Sequence, residues 1–493
     1  MNLVCVIFVT WLMLYSVRAL IFTRTKKLSG KRLYMMSHAI DVSTARSETT
    51  GCSNVIHLNA AGASLMPGKV YETMVGHLAL ENEIGGYEAA AMAKERSEKV
   101  YDEVAKMLNC DREEIALTDN ATRSWSMIFY SLKFSAGDVI LTSISEYGSN
   151  YIPFLQLSRR TGCIVIPVPN NEHGELDVEA LESLASDTYK DRVKLIAVTH
   201  VPTNGGLVNP AKEIGQVAKK HGIRYLLDAC QSVGQMPLDV QLLGCDFLSG
   251  TSRKYLRGPR GVGFLYVNKA VLEDIEPVFL DIHSATWGGT TAYAPKDAQG
   301  AAAASPALKP AATAMDSSDY YIRKDARRFE TWEASVASQL AFGAAVKYAN
   351  TLGLENIYSD IQSLAAWLRE ELSKIDGLVV ADQGKEKCGI VTWYFDLKKM
   401  TTSAVAQGRE DPQSFAEILS ASAVKDALMS HKPKRINVTV TGATSTLLDA
   451  QQRELPDLVR SSVSYYNTRE ECEALLDCLR ALVSLYTKRI RNN

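Results

Sequence analysis

The chain has 493 residues, of which 46% are apolar and 22% charged, and its formal net charge is −2. That balance fits a globular chain of roughly two to four compact units and gives no electrostatic case for binding nucleic acid. Nine cysteines are scattered without a CxxC or any paired spacing, which excludes a disulfide framework and a zinc site of the usual kind, so no metal is expected.

Leu3 to Phe22 is apolar apart from Thr10, Ser16 and Arg18, and Arg24, Lys26, Lys27, Lys31 and Arg32 follow. About 20 such residues span a bilayer, and the flanking charge would leave the rest of the chain in the cytoplasm. Three readings of residues 1–22 compete: a signal anchor that tethers a cytoplasmic enzyme to a membrane, an organelle-targeting or cleaved leader, and a mis-assigned start. Residues 23–53 are polar and read as a linker, with the folded body starting near Asn54.

Val55–Ala63 reads as a short strand entering a small-residue loop that contains Asn59 and Ala60. A helix over Pro67–Leu80, a break at Glu83–Tyr87 and a long amphipathic helix over Ala89–Leu108 follow. Ile115–Leu117 is a strand, Thr118–Thr122 a polar turn and Ser124–Lys133 a helix. A strand, polar turn and helix start leave free N–H groups aimed at an anion, which marks Ala121 and Thr122. Val139–Thr142 is the next strand, followed by Glu146-Tyr147-Gly148-Ser149-Asn150. Ile164–Val168 and Leu195–Thr199 are further strands, and the second runs into His200–Gly206, which contains Thr203. Pro210 opens a helix that stops at His221-Gly222. Strand Ile223–Leu227 ends on Asp228, with Gln231 three positions on. Ser249–Gly261 reads as a small-residue loop around Lys254, and Val262–Val267 as a strand. This βα rhythm implies an α/β fold with a mostly parallel sheet, whose ligands sit beyond the carboxyl ends of the strands. Thr122, Tyr147, Thr203, Asp228 and Lys254 all fall at or just past such ends. An amine that is to form an imine must lose its proton, and Arg253 places a positive charge beside Lys254.

The Trp287–Thr290 loop leads into an Ala-, Pro- and Ser-rich insert over residues 291–318 with no periodic core face. Ser335–Leu352 and Ile357–Ile375 are helices. Strands at Gly389–Phe395, Arg435–Val440 and Val459–Ser464, with helices at Ser414–Leu428 and Glu470–Leu485, give residues 331–493 an α+β pattern. Residues 54–330 would then be the large domain, with 54–70 packing on the small one. Arg257 and Arg260 read as surface charge or dimer contacts.

The run Asp228-Ala229-Cys230-Gln231, taken with Ser249–Gly261, resembles the lysine motif of the class V aminotransferase family of fold-type I pyridoxal phosphate enzymes. That family includes cysteine desulfurases, isopenicillin N epimerase, kynureninase and C–S lyases. The resemblance spans roughly Asn54 to Leu485. It implies a large domain with a mostly parallel sheet, a smaller α+β C-terminal domain, and pyridoxal 5'-phosphate as cofactor. By the same resemblance Lys254 carries the imine and acts as acid and base, Asp228 pairs with the ring nitrogen, and Gln231 bonds the ring oxygen. Tyr147 stacks on the ring where desulfurases carry a His. Thr203 bonds the ring hydroxyl or the substrate, while Ala121, Thr122, Thr251 and Arg253 hold the phosphate. Thr290 lends a phosphate contact to the neighbouring subunit of a homodimer with shared active sites. Arg460 in Arg460–Thr468 grips the carboxylate of a small amino-acid substrate, with Asn59 and Ala60 bordering it. The expected reaction is transamination, C–S β-elimination or epimerisation. The alternatives are a cysteine desulfurase or sulfurtransferase, set back by the lack of Cys between Arg435 and Arg460 and by Tyr147, and a non-catalytic scaffold.

Overall fold

In this computed structural model, which describes residues 40–288, 320–396 and 417–492, a short strand β1 (Ile56–His57) leads into α1 (Gly68–Ile84) and α2 (Gly86–Leu108). The break between the two helices is a single residue, Gly85, whose φ of 99° is open to a residue without Cβ. Then come β2 (Ile115–Thr118), α3 (Ala121–Ser131), β3 (Val139–Ser143), α4 (Gly148–Thr161), β4 (Ile164–Val168), β5 (Val193–Thr199), α5 (Ala211–His221), β6 (Arg224–Asp228), β7 (Phe247–Thr251) and β8 (Gly263–Val267). The strands form one seven-stranded sheet in the order β2-β8-β7-β6-β5-β3-β4. β8 runs against both its neighbours and the other strands share one direction.

The central strands read as continuous apolar runs because both faces are covered. Ile196, Val198, Tyr225, Leu227 and Leu248 point into one core with residues of α2 and α5. Ala197, Leu226, Phe247 and Leu265 point into the other, against Trp125 and Phe129 of α3 and Phe154 of α4. Successive side chains alternate faces, so a single strand feeds both cores.

β9 (Ala285–Trp287) and β10 (Tyr320–Ile322) form an antiparallel pair. After them come α6 (Val336–Leu352), α7 (Leu354–Ser373), β11 (Leu378–Val380), β12 (Ile390–Phe395), α8 (Ala421–Met429), β13 (Ile436–Asn437), β14 (Thr439–Thr441), β15 (Leu458–Ser462) and α9 (Arg469–Asn492). β11-β12-β15-β14 is an antiparallel sheet. α6 packs on α1 and α2.

Three stretches differ from the sequence reading. Arg435–Val440 is two strands: β13 pairs in parallel with β1, and β14 pairs with β15. Ser249–Thr251 belongs to β7 rather than to a loop, and a Cβ on Gly250 would lie 2.3 Å from the Phe264 ring. Residues 40–53, read as linker, carry a helix (Val42–Ser47) and a 3₁₀ turn (Thr50–Ser53). They are bound to the body by Ile40 N–H to Asp360 Oδ2 (3.0 Å), Arg46 to the Tyr466 carbonyl (2.7 Å) and an Arg46–Glu471 ion pair (2.8 Å). Among the described residues no helix is long and apolar enough to cross a membrane. The apolar segment 1–22, the rest of the linker to residue 39, Thr290 and the 291–318 insert lie outside the described residues.

Candidate active site

The co-directional strands β2, β3, β5, β6 and β7 end along one edge of the large sheet, and the first residues past those ends collect the site. Asp228 closes β6 and is 5% exposed. Its Oδ1 accepts from the Cys230 backbone N–H (2.9 Å) and its Oδ2 from Asn150 Nδ2 (2.9 Å). Asn150 lies in the first turn of α4, one turn beyond Glu146, and its amide also donates to Glu146 Oε1 (2.9 Å).

Lys254 stands in the turn after β7, which is closed by Arg257 N–H to the Lys254 carbonyl (3.0 Å) and Gly258 N–H to the Ser252 carbonyl (2.9 Å). Burial holds the Lys254 amine below its ordinary range; Arg253 and Arg460 push the same way, while Cys230 and Asp228 oppose them. Arg253 therefore helps, as its position suggested, but dehydration is the larger cause.

Gln231 is 2% exposed. Its Nε2 donates to the Ala61 carbonyl (3.2 Å) and to Thr203 Oγ1 (3.2 Å). Thr203 also receives Arg460, from Nη1 to the carbonyl (2.9 Å) and to Oγ1 (2.8 Å). Arg460 lies in β15, opposite Thr392 of β12 and Thr439 of β14, so the small sheet delivers it to a loop of the large one. Burial lowers its guanidinium to about 10, which leaves it charged at neutral pH.

Arg253 donates to the Gly62 carbonyl, and Ser64 N–H donates back to the Arg253 carbonyl (2.9 Å). These bonds bring the Asn59–Ser64 loop onto the lysine turn. Ala60 N–H donates to the Ser462 carbonyl (3.2 Å), and Ala61 N–H to Ser462 Oγ (2.9 Å). Tyr147 is half-buried at the start of α4, with its N–H on Glu146 Oε1 (3.0 Å). Asn120 caps α3 by accepting from Arg123 N–H (2.9 Å). Ala121 is buried beside it and Thr122 is exposed. A Cβ on Gly263 would lie 2.4 Å from the Asn120 backbone carbon, so β8 passes this turn only with glycine. Thr251 is buried at the end of β7, paired with Gly263. Thr290 lies outside the described residues.

One sequence reading is overturned nearby. Arg257 is not surface charge: it is fully buried, at a φ of 62°, with its guanidinium 4.5 Å from the Tyr466 ring and 4.9 Å from the Tyr465 ring. Its Nε donates to the Leu65 carbonyl (2.9 Å) and its Nη2 to Thr49 Oγ1 (2.5 Å), acceptors that neither motif nor spacing points to. Arg260 is exposed. Sequence reasoning also passed over Glu146, Asn150, Ser252 and Cys230. The i,i+4 spacing of Glu146 and Asn150 and the place of Cys230 between Asp228 and Gln231 were the available signals. Burial and the Asp228 carboxylate push the Cys230 thiol well up.

Several buried polar atoms here have no partner among the described residues: Gln231 Oε1, Arg460 Nε, Ser252 Oγ and Asn59 Oδ1. Buried polar groups are ordinarily hydrogen-bonded. Two amide acceptors, one guanidinium donor and one hydroxyl left over around a dehydrated lysine and a buried carboxylate fit a polar, anionic ligand with a ring nitrogen, as pyridoxal phosphate is. Among the described residues no group of three or more His, Cys, Asp and Glu side chains could hold a metal ion.

A family model described as Aminotransferase class-V matches residues 56–475. A probable cysteine desulfurase of Methanothermobacter thermautotrophicus is 28% identical over 440 residues, covering 87% of this chain and 95% of that protein. The apo cysteine desulfurase of Thermococcus onnurineus superposes with a TM-score of 0.73 at 23% identity, covering 91% of this chain and 100% of the other. A cystine C–S lyase in complex with cysteine persulfide superposes with a TM-score of 0.69 at 21% identity, covering 88% and 99%. At these identities the two structures speak for the fold.

Proposed function

We propose a function from the premise that the chain belongs to the aminotransferase class-V family: it is a pyridoxal phosphate enzyme that breaks the carbon–sulfur bond of a cysteine-type amino acid. The observation that carries this reading is the meeting of Lys254, Asp228, Gln231 and Arg460 around unpartnered polar atoms. The names of the relatives support sulfur chemistry in particular.

When bound, pyridoxal phosphate supplies a carbonyl for the lysine amine and a ring that accepts the electron pair released at the substrate's α-carbon. Lys254 Nζ, whose pKa burial lowers, would bond that carbonyl, and its amine would move the proton at the substrate's α-carbon. Asp228 holds the proton at the ring nitrogen. The Gln231 side-chain amide would bond the ring oxygen and Tyr147 would cover the ring, while Thr203 positions both Gln231 and Arg460. Arg460 offers Nε to the substrate carboxylate. Ala121, Thr122, Thr251 and Arg253 serve the phosphate, Asn59 and Ala60 border the substrate, and the site is completed by a second copy in a C2 homodimer. Static light scattering of the active enzyme should give twice the chain mass; a monomer refutes the shared site. The sheet that carries Lys254 and the one that carries Arg460 act as separate large and small domains.

The destination of the sulfur divides two readings. The relatives' names favour transfer to a protein thiol, the desulfurase route. Cys230 is the described cysteine that interacts with Lys254, and its raised pKa makes it a poor nucleophile, which favours release as hydrosulfide or to a dissolved thiol. Holoenzyme given L-cysteine or L-cystine, with products assayed, decides: pyruvate, ammonia and sulfide mark elimination, alanine with a persulfide marks desulfuration, and neither refutes the proposal.

A further inference from the structure

Glu146 is 3% exposed, and its carboxylate is bonded from every side. Oε1 accepts from Tyr147 N–H (3.0 Å), Asn150 Nδ2 (2.9 Å) and Thr199 Oγ1; Oε2 accepts from Thr199 N–H (2.9 Å) and Thr142 Oγ1 (3.1 Å). Those five donors come from β3, β5 and the start of α4 and favour the charged form, but burial outweighs them, with the Asp228 charge adding to it, and raises Glu146 to about 7. The charged or titratable groups facing it are Asp228 and the buried Tyr225 hydroxyl, both on β6. No cation lies within ion-pair distance of Glu146 or Asp228 among the described residues. Two buried carboxylates are thus bridged by a single amide, with one oxygen of each 2.9 Å from the same Asn150 nitrogen and so at most 5.8 Å from each other. When both carboxylates are ionised, two buried anions with no cation in ion-pair distance call for a positive group at the open side of Asp228.

Resting on the cofactor reading above, we propose that Glu146 is a positioning residue that acts through Asn150 on Asp228. It fixes the orientation of that carboxylate and, when ionised, adds a second negative charge that keeps the proton on the ring nitrogen Asp228 faces. The amide spends one N–H on each carboxylate, so Asp228 Oδ2 cannot turn without losing its bond to Asn150, and Asn150 cannot follow it without losing the bond to Glu146. At this separation and an effective dielectric near 20, the second charge moves the ring-nitrogen titration by about one to two pH units.

The test loads the full chain with pyridoxal phosphate labelled with ¹⁵N in the ring and follows the nitrogen shift against pH, which reads the proton directly. In Glu146→Gln the nitrogen should lose its proton about one to two pH units below wild type, and in Asn150→Ala, which keeps the Glu146 charge and frees only the Asp228 carboxylate, by a smaller margin. A purely structural role would lower cofactor occupancy and leave the midpoint of the loaded fraction unchanged; that result overturns the proposal. Asn150→Ala leaves Glu146 and its other four donors in place, so it answers the question should Glu146→Gln fail to fold. A wild-type enzyme that shows no bound ring signal sinks the cofactor reading, and this proposal with it. Normal loading with identical midpoints sinks this proposal alone.

Discussion

Replacing Arg460 by Ala removes two separable interactions. Toward the protein, the guanidinium donates two charged hydrogen bonds to Thr203, whose hydroxyl in turn accepts from Gln231. Toward the open site it presents a buried Nε with no protein partner. Losing a buried charged contact to a carboxylate costs roughly 2–5 kcal/mol. At about 1.4 kcal/mol per factor of ten, kcat/KM for an amino acid should fall by about 30-fold to several thousandfold. An amine that lacks the carboxylate never had that contact, so it should lose about tenfold or less, through the loosened Thr203 loop alone. The assay is kcat/KM for the amino acid and for its decarboxylated analogue, in wild type, Arg460→Ala, Thr203→Val and the double variant. Thr203→Val removes the shared hydroxyl, so the cycle isolates the part of the loss that runs through the loop. Equal losses on both substrates would refute the clamp and leave Arg460 as a prop for Thr203.

Borohydride reduction of the holoenzyme should fix the cofactor to Lys254, and Lys254→Ala should abolish the fixed adduct; a peptide map with the adduct on another lysine refutes the assignment. Burial pulls His200 from its ordinary 6.5 down to about 4. The unfolded chain therefore takes up that proton first, and stability is lost as pH falls from about 6.5 toward 4. At pH 5 the His200 share is about 2 kcal/mol. Denaturant unfolding of His200→Gln at pH 7 and pH 5 should show a correspondingly shallower loss than wild type, and parallel losses would refute the sign. Arg257→Ala strips the Leu65 carbonyl and Thr49 hydroxyl of a donor and opens a void between two tyrosine rings. It should lower stability by about 3 kcal/mol with cofactor binding retained, read by thermal unfolding of the apo chain; a change under about 1 kcal/mol would refute the packing role.

The large sheet could be read from the sequence because apolar β runs alternated with capped helices, and because a strand buried on both faces leaves a continuous apolar signature. The site could be read wherever a side chain followed a strand end: Asp228, Thr203 and Lys254 all lie where that rule puts them. What escaped depended on pairings distant in the chain. Nothing local announces that Ile436–Asn437 pairs with β1 while Thr439–Thr441 pairs with β15, since the strands are two and three residues long and share one apolar run. Arg257 looked solvent-exposed because its acceptors, Thr49 and Leu65, lie some 200 positions away. Glu146 and Asn150 were seen as neighbours of Tyr147. Their bridge to Asp228 crosses 78 positions and becomes visible only in three dimensions.

The pairing of the loop after β1 with the end of β15 has a consequence for how the protein is made. Asn59 pairs with Ser462 and Ala60 donates to the same residue, 403 and 402 positions later in the chain. At ribosomal rates of about 5–20 residues per second, the loop near the N-terminus waits roughly 20–80 seconds for its mate to be synthesised. During that interval the strands around Lys254 can already be paired while Arg460 and Ser462 are not yet made. The half-built pocket stands open on that side until the last hundred residues emerge. Cofactor capture with a closed site is therefore an event after translation, and a nascent chain stalled before Arg460 carries a lysine with nothing to complete it.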